Sequence, residues 1–150
     1  MNHAVVVDAS VAIKRVLSEE FTEQGQALFD NCLTAHRPML APPLLPGEIT
    51  NALNQRVRTT VGARRITEDE ANRALAAFLR LPITLSSPPG LYPRALAFAR
   101  THGLPSAYDS IYVVLAQMTN AELWTADQRL LRAVSSAAPW VRWIGDFPQS

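Results

Sequence analysis

Residues 4–10 read Ala-Val-Val-Val-Asp-Ala-Ser, and this stretch decides the fold. Three consecutive valines predict a strand over residues 4–7 that is apolar on both faces, which is typical of a parallel strand buried inside a sheet. Asp8 ends the strand, and Ser10 is expected to cap a helix over residues 11–17. The chain therefore opens with a buried strand, an acid at the strand's carboxyl end, and a helix.

Strands and helices alternate along the rest of the chain. Further strands are predicted at residues 39–41, 83–85, 122–125 and 141–144, and further helices at residues 22–35, 44–58, 67–81, 92–102, 106–118 and 128–135. Thr67 and Glu70 form a capping box at one helix start, and Gly103 is typical of a helix end. The alternation predicts an α/β fold with three layers, in which helices cover both faces of a mainly parallel sheet. A chain of 150 residues is expected to form a single domain.

Composition leaves the partner open but narrows the compartment. The chain has 14 basic and 13 acidic residues, so its net charge of +1 does not by itself indicate a nucleic-acid binder. The single cysteine, Cys32, excludes an internal disulfide and favours the cytoplasm. No run of roughly 18 apolar residues occurs, so no membrane span is expected.

Four acids occupy positions that are unusual for solvated surface charge. Asp8 and Asp127 follow predicted strands, while Glu48 and Asp109 lie near the starts of predicted helices. The carboxyl ends of parallel strands share one edge, where such sheets bind ligands. Two carboxylates about 4 Å apart repel by roughly 4 kcal/mol at an effective dielectric constant near 20, so a converging cluster calls for a cation. Oxygen ligands suit Mg²⁺ or Mn²⁺, which promote phosphodiester hydrolysis by activated water.

Four segments of the chain resemble the signature segments of PIN-domain nucleases, specifically the VapC toxins of bacterial toxin–antitoxin pairs. These segments are residues 6–10, residues 41–45 with Glu48 and residues 51–53, residues 106–109, and residues 123–127. The resemblance implies a PIN-like fold over residues 1–150 and an endoribonuclease that depends on Mg²⁺ or Mn²⁺ and cuts cellular RNA. It also implies a homodimer and a cognate antitoxin protein that silences the enzyme.

The same resemblance assigns roles to individual residues. Asp8 and Asp109 are the firmest metal ligands, and Glu48 and Asp127 complete the catalytic cluster directly or through water. Small polar side chains that would orient a carboxylate or a water molecule in this site are Ser10, Asn51 and Thr125.

Arginines are candidates for contacts with RNA phosphates, which position RNA without reading its sequence. The candidates are Arg56, Arg58, Arg64, Arg65 and Arg129. The alternative interpretation, in which they are solvated arginines without a ligand, stays open. Trp124, Trp140 and Trp143 are interpreted as packing residues rather than as platforms for base stacking.

Three other functions are alternatives to a toxin ribonuclease. A phosphate-accepting receiver domain needs a lysine at a late strand end, but Lys14 is the only lysine and lies in the first helix. A metal-dependent nuclease or phosphoesterase outside a toxin–antitoxin pair stays open. A catalytically silent module also stays open, and it would bind its partner through apolar helix faces. Those faces are marked by Leu28, Leu33, Leu45 and Leu53.

Overall fold

The computed structural model describes residues 3–60 and 64–149, and its centre is a five-stranded sheet whose pairings are all parallel. The strands are β1 Val5–Val7, β2 Met39–Ala41, β3 Ile83–Leu85, β4 Glu122–Thr125 and β5 Val141–Trp143. They lie side by side in the order β3-β2-β1-β4-β5. The strand order reverses at β1, and in open α/β sheets a ligand crevice forms at the carboxyl ends of strands at such a point.

Helices cover both faces of the sheet, so the predicted three-layer α/β/α architecture is confirmed. The α-helices of the described residues are α1 Ala9–Ala12, α2 Thr22–Thr34, α3 Leu45–Arg58, α4 Glu68–Leu79, α5 Leu91–Thr101, α6 Ala107–Met118 and α7 Gln128–Val134. Two short 3-10 turns are Ile13–Arg15, which continues α1, and Ile144–Asp146, which follows β5.

Strand β1 is the most deeply buried element because it lies between two strands and beneath two helical layers. Val5, Val6 and Val7 are fully buried. Val6 is level with Leu40 of β2 and with Leu123 of β4. The valine run therefore forms a buried parallel strand, as predicted, and fixes where its carboxyl end meets that of β4.

The helix after β1 corrects one prediction, since Asp8 caps it and Ser10 does not. The Asp8 carboxylate accepts a hydrogen bond from the Val11 backbone N–H at 3.1 Å, so α1 begins at Ala9 and Ser10 lies inside its first turn. A carboxylate at the N-cap satisfies a backbone N–H that has no partner within the helix. The predicted capping residue, Ser10, was therefore wrong by two positions. The Asp8 carboxylate holds the start of α1 through its bond with the Val11 N–H.

Other helix boundaries follow the predicted signals. Thr67 and Glu70 form the predicted capping box, with both reciprocal hydrogen bonds present, at the start of α4. Gly103 follows the end of α5 with φ of 63°, a left-handed conformation that costs glycine little.

The core occupies the apolar faces of α2 and α3, which removes them as surfaces for a partner. Leu28 and Leu45 are fully buried and Leu53 is 3% exposed, because their helices pack these side chains toward the sheet. Leu33, at 46% exposure, is the exception. The expectation that these four leucines mark a binding face was therefore wrong for three of them.

Among the described residues, no helix combines the length and the apolar content needed to cross a membrane.

Candidate active site

Asp8 directly follows the last residue of β1 and is 7% exposed. Its carboxylate accepts three hydrogen bonds. Ser10 Oγ donates to Oδ1 at 2.5 Å, Thr125 Oγ1 donates to Oδ2 at 2.5 Å, and the Val11 N–H donates to Oδ1. Hydrogen bonds to the ionised form are what a buried carboxylate requires, so this side chain is held in one orientation.

The two hydroxyls that bind Asp8 also connect β1 to β4. Ser10 Oγ accepts from the Ala126 N–H at 2.9 Å, and Thr125 Oγ1 accepts from the Asp127 N–H at 3.0 Å. Each hydroxyl thus donates to the carboxylate and accepts from the backbone that follows β4. The segment carrying Asp127 is consequently fixed relative to Asp8.

Asp127 and Asp109 begin helices on the β4 side of the crevice. The Asp127 carboxylate caps α7 by accepting from the backbone N–H groups of Arg129 and Leu130 at 2.9 and 3.2 Å. Asp109 lies in the first turn of α6. Helix starts carry a partial positive charge that favours a carboxylate, which helps to explain how acids are tolerated at both places.

Glu48 lies in the first turn of α3 and is paired with a tyrosine from α6. Tyr112 is 3% exposed, and its hydroxyl donates to Glu48 Oε1 at 2.6 Å. Burial, and secondarily Glu48 itself, raises the pKa of Tyr112, so the phenol stays protonated and able to donate. The contact fixes Glu48 toward the helix that carries Asp109.

The four predicted acids are brought close enough to influence one another. Burial raises the pKa of Asp8 to about 6, with a smaller contribution from the charge of Asp127. Burial also raises the pKa of Glu48, with Asp109 adding to the effect, and the pKa of Asp109, with Asp127 adding to it. The mutual repulsion of partly buried carboxylates disfavours their charged forms, and a nearby cation would reverse that.

The chemistry of the donors fits a hard divalent ion. The acids and the hydroxyls of Ser10 and Thr125 offer oxygen alone, the donor that Mg²⁺ prefers. Within residues 3–60 and 64–149, no three His, Cys, Asp or Glu side chains form a group that could hold a metal ion. Magnesium sites commonly use one or two carboxylates and complete their coordination with water and substrate phosphate, so an open arrangement of this kind suits a substrate-binding site.

A groove of about 1490 Å³ adjoins Asp127 and Ser10. Its described lining carries seven basic side chains against four acidic ones, namely Lys14, Arg56, Arg64, Arg65, Arg73, Arg129 and Arg132 against Glu19, Glu20, Glu70 and Asp127. The volume exceeds the roughly 300 to 1,000 Å³ of small-molecule pockets, which is consistent with a polymeric ligand.

Most of the predicted arginines line this groove, whereas Arg58 and Asn51 are exposed outside its described lining. Of the five predicted arginines, four line the groove, while Arg58 is exposed outside the described lining. Asn51 is exposed on α3, one turn after Glu48, and its role in the site stays a prediction.

Sequence reasoning missed two features of this region. Tyr112 follows Asp109 by three residues, a spacing that places two side chains on one helix face and could have identified it. The second is an ion-pair network in the groove wall: Lys14 Nζ lies 2.8 Å from Glu19 Oε1, and Arg56 pairs with the other oxygen of Glu19. No local spacing signals that network, because Arg56 is 37 residues from Glu19.

Comparison with known proteins gives consistent matches in sequence and in fold. A family profile described as the PIN domain matches residues 5–135. VapC ribonuclease Mb0985 of Mycobacterium bovis and Ribonuclease VapC9 of Mycobacterium tuberculosis are each 34% identical over 126 residues, which is 84% of this chain and 87% of each relative. The crystal structure of PAE2754 from Pyrobaculum aerophilum matches with a TM-score of 0.67, covering 97% of this chain and 92% of that one. At 21% identity this last likeness shows the fold alone.

Proposed function

Because this chain belongs to the PIN-domain family, in its VapC branch, we propose that it is an endoribonuclease acting as the toxin of a toxin–antitoxin pair. One observation carries the proposal. Asp8 is buried, and the two hydroxyls that bind its carboxylate also bind the backbone leading from β4 to Asp127. Glu48 is bound by Tyr112 of α6, the helix that also carries Asp109. A cluster of this kind is destabilising for the fold alone and useful to a site that binds a cation and a phosphate.

Within the proposal, the acids hold Mg²⁺ or Mn²⁺. Asp8 and Asp109 are the direct ligands, and Glu48 and Asp127 support them directly or through water. When bound, such an ion supplies positive charge that favours attack of water on phosphorus and departure of the leaving oxygen. The hydroxyls of Ser10 and Thr125 keep the Asp8 carboxylate turned in one direction, and Tyr112 does the same for Glu48.

The groove beside Asp127 holds the RNA backbone in this account. Arg64, Arg65 and Arg129 line it. Their side chains form no hydrogen bond or ion pair within the part of the chain that the structure describes, so they can reach phosphate oxygens. Arg56 lines the groove too, but it forms an ion pair with Glu19, so we propose that it stabilises the groove wall rather than binding RNA. Arg58 is proposed as a more distant contact.

Partners and context follow from the same family membership. We propose one PIN domain over residues 1–150, a cytoplasmic location that agrees with the buried free thiol of Cys32, and a cognate antitoxin protein. A homodimer is also proposed, because α5 exposes Tyr92 and Leu96 at 52% and 47%. Light scattering that finds only monomer, together with no binding to the protein encoded by the adjacent gene, would contradict the partner proposals.

The experiment that tests the activity measures cleavage of structured RNA by the purified protein with Mg²⁺, with Mn²⁺ and with EDTA. We expect cleavage with either ion, none in EDTA, and none by Asp8→Asn, because that substitution keeps the side-chain volume and deletes the ligand charge. Circular dichroism establishes that the variant is folded. Full cleavage in EDTA or by the folded variant would overturn the proposed mechanism.

A further inference from the structure

Trp143 is the last residue of β5 and is in register with Thr125 of β4. Adjacent strands lie about 4.8 Å apart, and paired residues of parallel strands project to the same face of the sheet. Because the Thr125 hydroxyl binds Asp8, Trp143 stands one strand away from the acid cluster, at the same edge of the sheet.

The three tryptophans differ in how their indole N–H groups are used. Trp124 Nε1 donates to Glu122, and Trp140 Nε1 donates to the Val113 carbonyl at 2.9 Å. Among the described residues, Trp143 Nε1 has no protein acceptor, and its half-buried ring lines the groove. Buried indole N–H groups normally find a partner, and none of the described buried side-chain N or O atoms lacks one, so the N–H of Trp143 is open to solvent.

The Trp143 ring is held in place by Phe21, which lines the same groove, and by Gly145. Phe21 packs against it in an edge-to-face arrangement, with ring centroids 5.3 Å apart and planes at 77°. Gly145 provides the space for the indole, since a Cβ there would lie 2.3 Å from Trp143 Nε1. A ring fixed in this way loses little freedom when a ligand stacks on it.

Polar side chains of α7 surround the groove side of the ring. A recess of about 250 Å³ is lined by Gln128, Leu131, Arg132 and Trp143, and it opens beside the larger groove that Arg129 lines. An amide can hydrogen-bond the edge of a nucleobase, while guanidinium groups bind phosphates or stack on a base. The recess therefore combines an aromatic face, an amide able to bind a base edge and the cation of Arg132, and Arg129 adds a second cation in the adjoining groove.

We propose that Trp143 is the stacking platform for one unpaired nucleobase of the RNA, with Gln128 at the base edge and Arg129 and Arg132 at the flanking phosphates. In a duplex both faces of each base are covered, so only an unpaired base can occupy this position. The inference rests on the proposed ribonuclease function and narrows its substrate to single-stranded loops or ends.

The test compares binding of two RNAs, a hairpin with an unpaired loop and a fully paired duplex of the same length. Both are bound to the full chain carrying Asp109→Asn, so that no cleavage occurs. We expect Trp143→Leu to weaken binding of the hairpin by about tenfold or more and binding of the duplex by less than about twofold, since stacking acts on unpaired bases alone. Trp143→Phe keeps an aromatic face and is expected to retain most of the hairpin affinity.

The matched control is Trp140→Leu, the same substitution at a half-buried tryptophan outside the groove lining. It is expected to lower stability without changing the preference for the hairpin. A second readout, independent of the leucine variant's folding, is tryptophan fluorescence: hairpin binding should quench the emission, and Trp143→Phe should remove most of that quenching while binding persists.

Equal hairpin affinity in folded Trp143→Leu and its parent, or equal losses for hairpin and duplex, would overturn the inference. Unchanged quenching in Trp143→Phe would overturn it as well. A wild-type protein that cleaves no RNA at all would instead contradict the proposed function, so the two failures are distinguishable.

Discussion

Asp8 shows at the scale of one residue how the fold accommodates a buried acid. Three donors bind its two carboxylate oxygens, yet burial still raises its pKa to about 6. The hydrogen bonds therefore offset only part of the cost of removing the charge from water. A residue that carries such a cost at the carboxyl end of a central strand is better explained by function than by stability.

The hydroxyl of Tyr112 is predicted to matter because it orients Glu48. Tyr112→Phe deletes the hydroxyl that binds Glu48 and leaves the ring in the core, so Glu48 becomes free to adopt other orientations. We expect the divalent-ion concentration needed for half-maximal cleavage to rise by about tenfold, as for other groups that orient metal ligands, with most of the activity recovered at saturating ion. Titrating Mg²⁺ or Mn²⁺ in a cleavage assay measures this.

The control for that titration is Tyr108→Phe, which removes the same hydroxyl from a neighbouring tyrosine that is 64% exposed. It should leave the ion requirement unchanged. An unchanged ion requirement in Tyr112→Phe, or an equal change in both variants, would show that the contact with Glu48 does not position that acid.

At the scale of elements, the wall of the groove depends on an ion pair between the segment preceding α2 and helix α3. Burial alone would raise the pKa of Glu19, but hydrogen bonds from Lys14 and Arg56 outweigh it and lower that pKa. Lys14 itself is 4% exposed, and its stem packs against Gly25 of α2, where a Cβ would lie 2.9 Å from Lys14 Cβ. Glu19 therefore neutralises a buried ammonium and joins the segment preceding α2 to α3.

Glu19→Gln is predicted to destabilise the protein by about 2 kcal/mol at pH 7, because a buried charge loses a charged hydrogen-bond partner. A carboxyl whose folded-state pKa is lowered contributes stability above its unfolded pKa, near 4.3, and loses that contribution as the pH falls through the folded value. The difference in the free energy of unfolding between wild type and Glu19→Gln, measured with urea, should therefore shrink as the pH is lowered below about 4.

Glu23→Gln serves as the comparison, since Glu23 is an exposed acid in the first turn of α2. It should change the unfolding free energy by less than about 0.5 kcal/mol. If the free energy of unfolding lost in Glu19→Gln stayed constant from pH 7 to pH 3, the ionised carboxylate of Glu19 would not be the source of that stability.

The valine run, the capping box at Thr67 and the stop at Gly103 act over a few residues, so their elements were predictable. The cap at Asp8 was missed because acid and serine are both good caps, and a contact with β4 uses the Ser10 hydroxyl instead. Pairings such as Glu48 with Tyr112 depend on how helices pack, which one sequence without its fold does not specify.

For the molecule as a whole, the strand order β3-β2-β1-β4-β5 explains why distant acids share a site. The order reverses at β1, so the carboxyl ends of β1 and β4 open one crevice, and helices α3 and α6 start beside it. A groove in which basic side chains outnumber acidic ones adjoins Asp127 and Ser10. The groove that we propose for RNA therefore lies next to Asp127, one of the four acids that we propose for cleavage.

We infer that Asp8, Glu48, Asp109 and Asp127, rather than any acid at a helix start, carry out RNA cleavage. The most direct measurement compares initial cleavage rates of wild type, Asp109→Asn and Asp69→Asn on a looped RNA in Mg²⁺. Asp69 is an exposed acid in the first turn of α4, outside the cluster, and so matches Asp109 in local setting. We expect the cleavage rate to fall by at least about 100-fold in folded Asp109→Asn, since charge stabilisation at phosphorus is worth several kcal/mol. The rate of Asp69→Asn should be unchanged. A folded Asp109→Asn that cleaves RNA at the wild-type rate would contradict the account.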